Sequence, residues 1–258
     1  MSKYLQNFRK FRPLLEELVA RDIKIKYRKS VLGVLWTLLN PLLMMIVLTI
    51  VFSNLFKFDI ENYPIYLLSG QLVFNFFNES TSNAMSAILG NSSLIKKIYV
   101  PKYLFVLSRI LSSVVNLAAS FLALILLMLA MRVELHWTII FFIFPTALLI
   151  VFSLGVSLLL AALVVKFRDI MHLYSVFTTA LLYLTPVIYS ITFLPEKIRM
   201  IVMINPITNY VIMFRDAMMY GRISSISSIV LGVVEAVIML LIGLRVFYKM
   251  QDEFILNI

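Results

Sequence analysis

Between residues 31 and 56 the chain carries no charged side chain at all. About 20 mainly apolar residues in a helix cross the roughly 30 Å of hydrocarbon in a bilayer, so this run is long enough to span. Five further runs resemble it: 63–90, interrupted by Glu79; 104–131, with Arg109 near its start; 137–165; 170–192; and 226–248, with Glu235 inside. Hydrophobic residues make up 62% of the 258-residue chain and charged residues 14%, with a mean hydropathy of +0.97. No water-soluble core of this size hides so much apolar surface, so the solvent is lipid. The expected fold is an all-α integral membrane protein of six transmembrane helices in one domain spanning 1–258.

The formal charge is +10, but the basic residues cluster at the edges of the apolar runs rather than on a nucleic-acid-binding face. Seventeen of the lysines and arginines fall before the first run, in the second and fourth connections, or at the carboxyl-terminal end of the last run; six fall on the other side. By the positive-inside rule both termini are expected in the cytoplasm. The first thirty residues have neither an apolar core nor a small-residue cleavage site, so no cleaved signal peptide is expected. Without cysteine, there is no disulfide framework and no thiolate chemistry.

Two segments outside the spans are distinctive. In residues 1–30, Pro13 suits a first helical position, with Glu16 and Glu17 in the first turn and the basic residues 24–29 at the far end. Leu14, Leu18 and Ile25 give that helix an apolar edge, so it is expected to lie on the cytoplasmic membrane surface among anionic headgroups. Residues 193–225 hold two apolar pieces split by Asn205-Pro206, each too short to cross, with Arg199, Arg215 and Asp216 near their middles. They are expected to form a re-entrant helical hairpin on the outer side.

Polar residues at membrane depth mark paths or packing. At 100° per residue Gln71, Asn75, Asn78, Glu79, Ser82 and Ser86 share about a third of the second run's circumference. The third run offers Ser108, Ser112, Asn116 and Ser120, and helix packing between the two stripes is the expectation, with a wet path as the alternative. Aromatic residues concentrate in the first run, at Trp36, Phe52 and Phe56, and in the fifth, at Tyr174, Phe177, Tyr183 and Tyr189; such rings either stack on sugars or anchor helix ends.

The chain has no Gly-x-x-x-x-Gly-Lys-Ser/Thr loop, so it does not hydrolyse ATP by the P-loop route; His-Glu-x-x-His and Gly-x-Ser-x-Gly are also absent. His136 and His172 are expected at opposite membrane faces and make no metal site. An integral-membrane enzyme acting on polyprenyl-linked sugars would want paired cytoplasmic carboxylates, whereas Glu16, Glu17, Asp22, Asp169, Asp252 and Glu253 are scattered or lie beside arginines. A proton-coupled carrier would rest on Glu79 and Glu235 alone.

Three motifs carry a resemblance. Residues 21–30, Arg-Asp-Ile-Lys-Ile-Lys-Tyr-Arg-Lys-Ser, run into Leu32-Gly33 and Trp36 and end at Asn40-Pro41. Residues 94–102 read Leu-Ile-Lys-Lys-Ile-Tyr-Val-Pro-Lys, and Phe167-Arg168-Asp169 precedes the fifth run. Together they resemble the type 2 ATP-binding-cassette exporter permeases for O-antigen, teichoic acid and capsular polysaccharide, in span order over nearly the whole chain.

The resemblance implies a permease that exports a lipid-linked polysaccharide across a bacterial inner or plasma membrane. It implies a homodimer with two nucleotide-binding ATPase subunits, on which ATP and Mg²⁺ are held. The ATPase-coupling interface would comprise Arg21, Asp22, Lys26 and Tyr27 with Lys96, Lys97, Ile98, Tyr99 and Pro101. The aromatic residues of the first and fifth spans would line the conduit, and the hairpin with Asn205, Pro206, Arg215 and Asp216 would close its outer end.

Overall fold

The computed structural model describes residues 3–28, 30–56 and 60–257, with the side chains of 3–9, Tyr27, 53–56 and 256–257 outside the description. The described residues form helices and no strand. In chain order these are α1 (Lys3–Tyr27), α2 (Trp36–Phe56), α3 (Tyr63–Met85), α4 (Ser92–Lys97), α5 (Tyr103–Ala130), α6 (Ile143–Lys166), α7 (Ile170–Tyr183), α8 (Glu196–Ile204), α9 (Pro206–Met218), α10 (Ile226–Met250) and α11 (Phe254–Asn257).

Four stretches are long and apolar enough to cross a membrane: Gly33–Phe52, Tyr103–Ala130, Trp137–Lys166 and Ile226–Glu253. The second expected span differs because α3 carries the polar stripe of Gln71, Asn75, Asn78 and Glu79. The fifth differs because α7 stops at Tyr183 rather than running to residue 192. Pro186 explains the stop: it has no N–H to donate and pushes the residue before it out of the helical region.

Helix α3 is the hub, packed by α2, α5, α6, α7 and α9. Ile65, Leu67 and Leu68 are wholly buried, and Phe74, Phe76 and Phe77 join the same core. The most extensive helix pair is α6 against α10. They cross at Gly155 and Gly243, where a Cβ on Gly243 would stand 2.8 Å from the Gly155 carbonyl carbon and a Cβ on Gly155 would meet the backbone of Met239. Lipid provides no hydrophobic drive between helices, so close backbone approach between small residues is what holds such a pair together. By contrast α2 leaves most of its apolar surface uncovered, including Leu43, Met44, Ile46, Val47 and Ile50.

The amino-terminal helix departs from expectation in its start. Helix α1 already runs from Lys3, and Pro13 lies inside it, so Glu16 and Glu17 fall in its middle. An internal proline removes one backbone bond and leaves the flanking turns intact. Glu16 instead takes an i,i+4 ion pair from Arg12 at 2.7 Å. The edge that packs is also different: Leu15 and Leu18 are buried while Ile25 is exposed, and α1 lies along α5.

Candidate functional site

On one side of α3 the polar stripe meets α1, α2 and α5. Lys26 Nζ of α1 lies 2.7 Å from Glu79 Oε1. Asn116 Nδ2 of α5 donates to the same oxygen at 2.6 Å. One turn back on α1, the buried Asp22 carboxylate is flanked by Arg21 and by Arg109 of α5, each at 3.2 Å. The amino-terminal helix is thus tied to the bundle by charge pairs as well as by its leucines.

Beyond the Lys26–Glu79 pair opens a pocket of about 440 Å³, walled by Trp36, Asn40 and Met44 of α2, Asn75 and Asn78 of α3, and Asn116 and Ser120 of α5. The stripe therefore does two things. Glu79 and Asn116 join the helices as expected, but Asn75 and Asn78 face open space. Residue spacing located the stripe; which neighbour stands off to leave a gap is a property of tertiary packing and has no local signal.

The loop after α3 lies on the same side of the bundle. Ile98 and Tyr99 project from it, Tyr99 being 95% exposed, while Ile95 and Val100 are buried beneath. Lys96 and Lys97 occupy the last turn of α4 and are exposed. Pro101 stands just before α5, and Lys102 caps that helix. The carboxyl-terminal turn holds this base: Lys102 Nζ bonds the Gln251 carbonyl and sits over the ring of Phe254, 5.6 Å from its centroid. Phe254 is itself buried against Phe247. Burial pushes the Lys102 ammonium below its usual pKa. This clasp was not anticipated, because a lysine followed 150 residues later by an apolar terminus is an unremarkable pattern.

The other aromatic candidates do not gather with Trp36. Tyr174 is buried and donates to Thr81 Oγ1 at 2.7 Å, and it packs on Phe177, whose ring is otherwise exposed. Tyr183 is exposed at the end of α7. Tyr189 lies past the helix end and donates to the Tyr183 carbonyl at 2.8 Å, so it is not on the α7 face that ideal helical pitch assigns to it. Phe52 packs against the core. The side chains of Tyr27 and Phe56 lie outside the described residues.

At the opposite end Arg215 is 3% exposed. It donates to the carbonyls of Pro186 at 2.6 Å, Tyr66 at 2.8 Å and Val187 at 3.0 Å, and to Ser69 Oγ at 3.2 Å. Its guanidinium carbon stands 3.4 Å from the centre of the Tyr66 ring. The Tyr63 hydroxyl donates to the Ile188 carbonyl and that of Tyr66 to the Tyr189 carbonyl. Four successive carbonyls freed by the end of α7 are therefore met by one arginine and two tyrosines, as backbone without helix must be at membrane depth.

Asp216 accepts from Arg222 Nε at 2.8 Å and from the Ser224 hydroxyl at 2.9 Å. Asn205 caps α9 by accepting from the Ile207 amide at 3.0 Å and donates to Thr185 Oγ1, with Pro206 in the first helical turn. Asn205 and Arg215 thus tie α9 to the segment after α7, and Asp216 ties it to the turn at Arg222 and Ser224. Arg199 is exposed on α8, and Glu235 is half-buried on α10 with Oε2 shielded and without a hydrogen-bond partner. No cluster of three or more metal-ligating side chains occurs among the described residues.

Helices long and apolar enough to cross a membrane, an exposed basic loop and a polar pocket between helices suit the membrane subunit of a transporter. The family model for ABC-2 type transporters matches residues 13–219, and the chain belongs to that family. It is 26% identical to the O-antigen export system permease protein RfbA of Klebsiella pneumoniae, over 93% of each chain. It is 27% identical to the RfbA of Myxococcus xanthus over 98% of each, and 22% identical to the polysialic acid transport protein KpsM of Escherichia coli over 94% of this chain and 95% of that one.

Proposed function

We propose that the chain is the permease subunit of an exporter that moves a lipid-linked polysaccharide across a bacterial inner or plasma membrane. The observation that carries this reading is the end-to-end likeness to export permeases, which extends over 98% of both chains in the Myxococcus xanthus relative. Because the sequence has no phosphate-cradling loop, ATP and Mg²⁺ belong to a separate ATPase subunit, present in two copies beside a permease homodimer.

In this reading 1–258 is one domain with both termini in the cytoplasm. Six segments span: α2, α3, α5, α6, α10, and α7 continued by 184–189. Helix α7 alone, with 14 residues, covers about 21 Å, so the turns after it complete the crossing. Helix α1 rests at the cytoplasmic interface, and α8 and α9 form the outer re-entrant hairpin. The exposed Tyr99 and Ile98, held on the base that Lys102 and Phe254 clamp, supply a firm contact for the ATPase together with Arg21, Lys26, Tyr27, Lys96, Lys97 and Pro101, while the buried Asp22 holds Arg21 in place. A rigid loop transmits a rigid-body motion that a flexible one would absorb. The uncovered face of α2 and the exposed Phe177 and Tyr183 suit the wall of a conduit shared by two subunits.

Deleting the gene in its own cell tests the reading. Surface polysaccharide should vanish and lipid-linked polymer accumulate on the cytoplasmic side; unchanged surface polysaccharide refutes it.

A further inference from the structure

The pocket behind the Lys26–Glu79 pair has chemistry that fits one class of ligand. Asn40 and Asn75 are exposed within it, and neither hydrogen-bonds another described residue. Bare carboxamides against hydrocarbon are costly, so the space holds water or a hydroxylated molecule. Asn78 adds a third amide group to the wall. A carboxamide both donates and accepts, which matches a sugar hydroxyl that does the same.

Charge narrows the choice. The one lysine at the pocket is committed to Glu79 at 2.7 Å, so the pair offers little net attraction to a phosphate or a metal ion. Trp36 contributes an exposed indole on the α2 wall, a flat apolar surface for the C–H face of a sugar ring. At about 440 Å³ the pocket lies within the roughly 300–1,000 Å³ of small-molecule sites. A second pocket of the same volume, between Phe141, Phe144, Pro145 and Ile229, is almost wholly apolar. The two cavities are equal in size and opposite in character, so polarity here is not a by-product of loose packing.

We infer that this pocket binds a neutral, hydroxyl-rich sugar residue of the exported glycolipid, held by the amides of Asn40, Asn75 and Asn78 and stacked on Trp36. The inference rests on the export reading, and its test separates the two.

The chain contains no cysteine, so a single introduced thiol is the one reactive site on this subunit, and labelling is read on the separated subunit. Asn75→Cys and, as a lipid-facing control on α10, Val237→Cys are placed in the full transporter with its ATPase subunit. Membranes come from cells that make the glycolipid and from cells blocked at the first sugar transfer. A water-soluble cationic methanethiosulfonate reagent should modify position 75 far faster than position 237. The glycolipid should slow modification at 75 by about tenfold, the scale of one or two hydrogen bonds' worth of binding. Trp36→Ala should abolish that protection and Trp36→Phe should keep most of it.

Two results overturn the inference: position 75 as inert as 237, which makes the pocket lipid-filled, or fast modification that the glycolipid leaves unchanged. Either can occur while gene deletion still abolishes surface polysaccharide, so the export reading stands or falls on its own experiment.

Discussion

Arg215 Nη1 donates to the carbonyl of Pro186 at 2.6 Å, and the two residues explain each other. Pro186 ends α7 and frees backbone carbonyls; Arg215 reaches in from α9 to satisfy them. Their contact fastens α9 to the segment after α7 and to α3, whose Gly70 leaves room for the guanidinium: a Cβ there would stand 2.5 Å from Arg215 Nη2.

Replacing Arg215 with leucine is therefore expected to prevent stable folding. Each buried carbonyl left without a donor costs on the order of 1–3 kcal/mol, and three lose theirs. Arg215→Lys keeps the charge but not the planar fork, so it should recover only part of the loss. Thermal unfolding of detergent-solubilised protein, followed by size-exclusion elution, measures both.

At the α6–α10 crossing, Gly243→Val should cost about 1–3 kcal/mol or more, because the added carbons meet the Gly155 backbone and neither helix can yield alone. Gly90→Ala is the contrast: nothing stands within 4 Å of its Cβ, and no loss is expected. The same melting experiment separates them.

Reversing charge on the exposed loop tests its role as the ATPase contact. Lys97→Glu combined with Ile98→Asp should leave membrane insertion and melting temperature unchanged, since both side chains are exposed. Polysaccharide export and stimulation of the ATPase subunit should both collapse. Normal export with normal stimulation would remove the loop from the coupling interface.

The Lys26–Glu79 pair predicts a reciprocal result. Glu79→Lys should impair export by placing two ammonium groups together, and adding Lys26→Glu should restore part of it. Because both side chains are partly exposed, the stability change should be small, about 1 kcal/mol or less. Glu79→Gln keeps an oxygen for Asn116 and should export with an unaltered pH profile; a shift of that profile would instead favour proton coupling through this carboxylate.

The apolar runs and the Asn205-Pro206 break were legible because each is a local pattern: length against bilayer thickness, proline against helix. The start of α1 was misjudged at Pro13, where a helix tolerated what a local rule reads as a beginning. Arg215 stood out as too polar for lipid, yet its task could not be read, since its acceptors lie on α3 and beyond α7. The same holds for Gly155 and Gly243, single glycines in two apolar runs whose meeting only the packed structure reveals. Tyr174 and Tyr189 show the converse: a shared helical face on paper, parted by the end of α7.

That glycine crossing also sets a timetable for biosynthesis. Gly155 is made nearly ninety residues before its partner Gly243, and at about 5–20 residues per second roughly 5–20 seconds separate them. Throughout that interval α6 waits with its notch filled by lipid or by an insertion factor. Fidelity of assembly then hinges on the final hydrophobic segment arriving while the notch is still open.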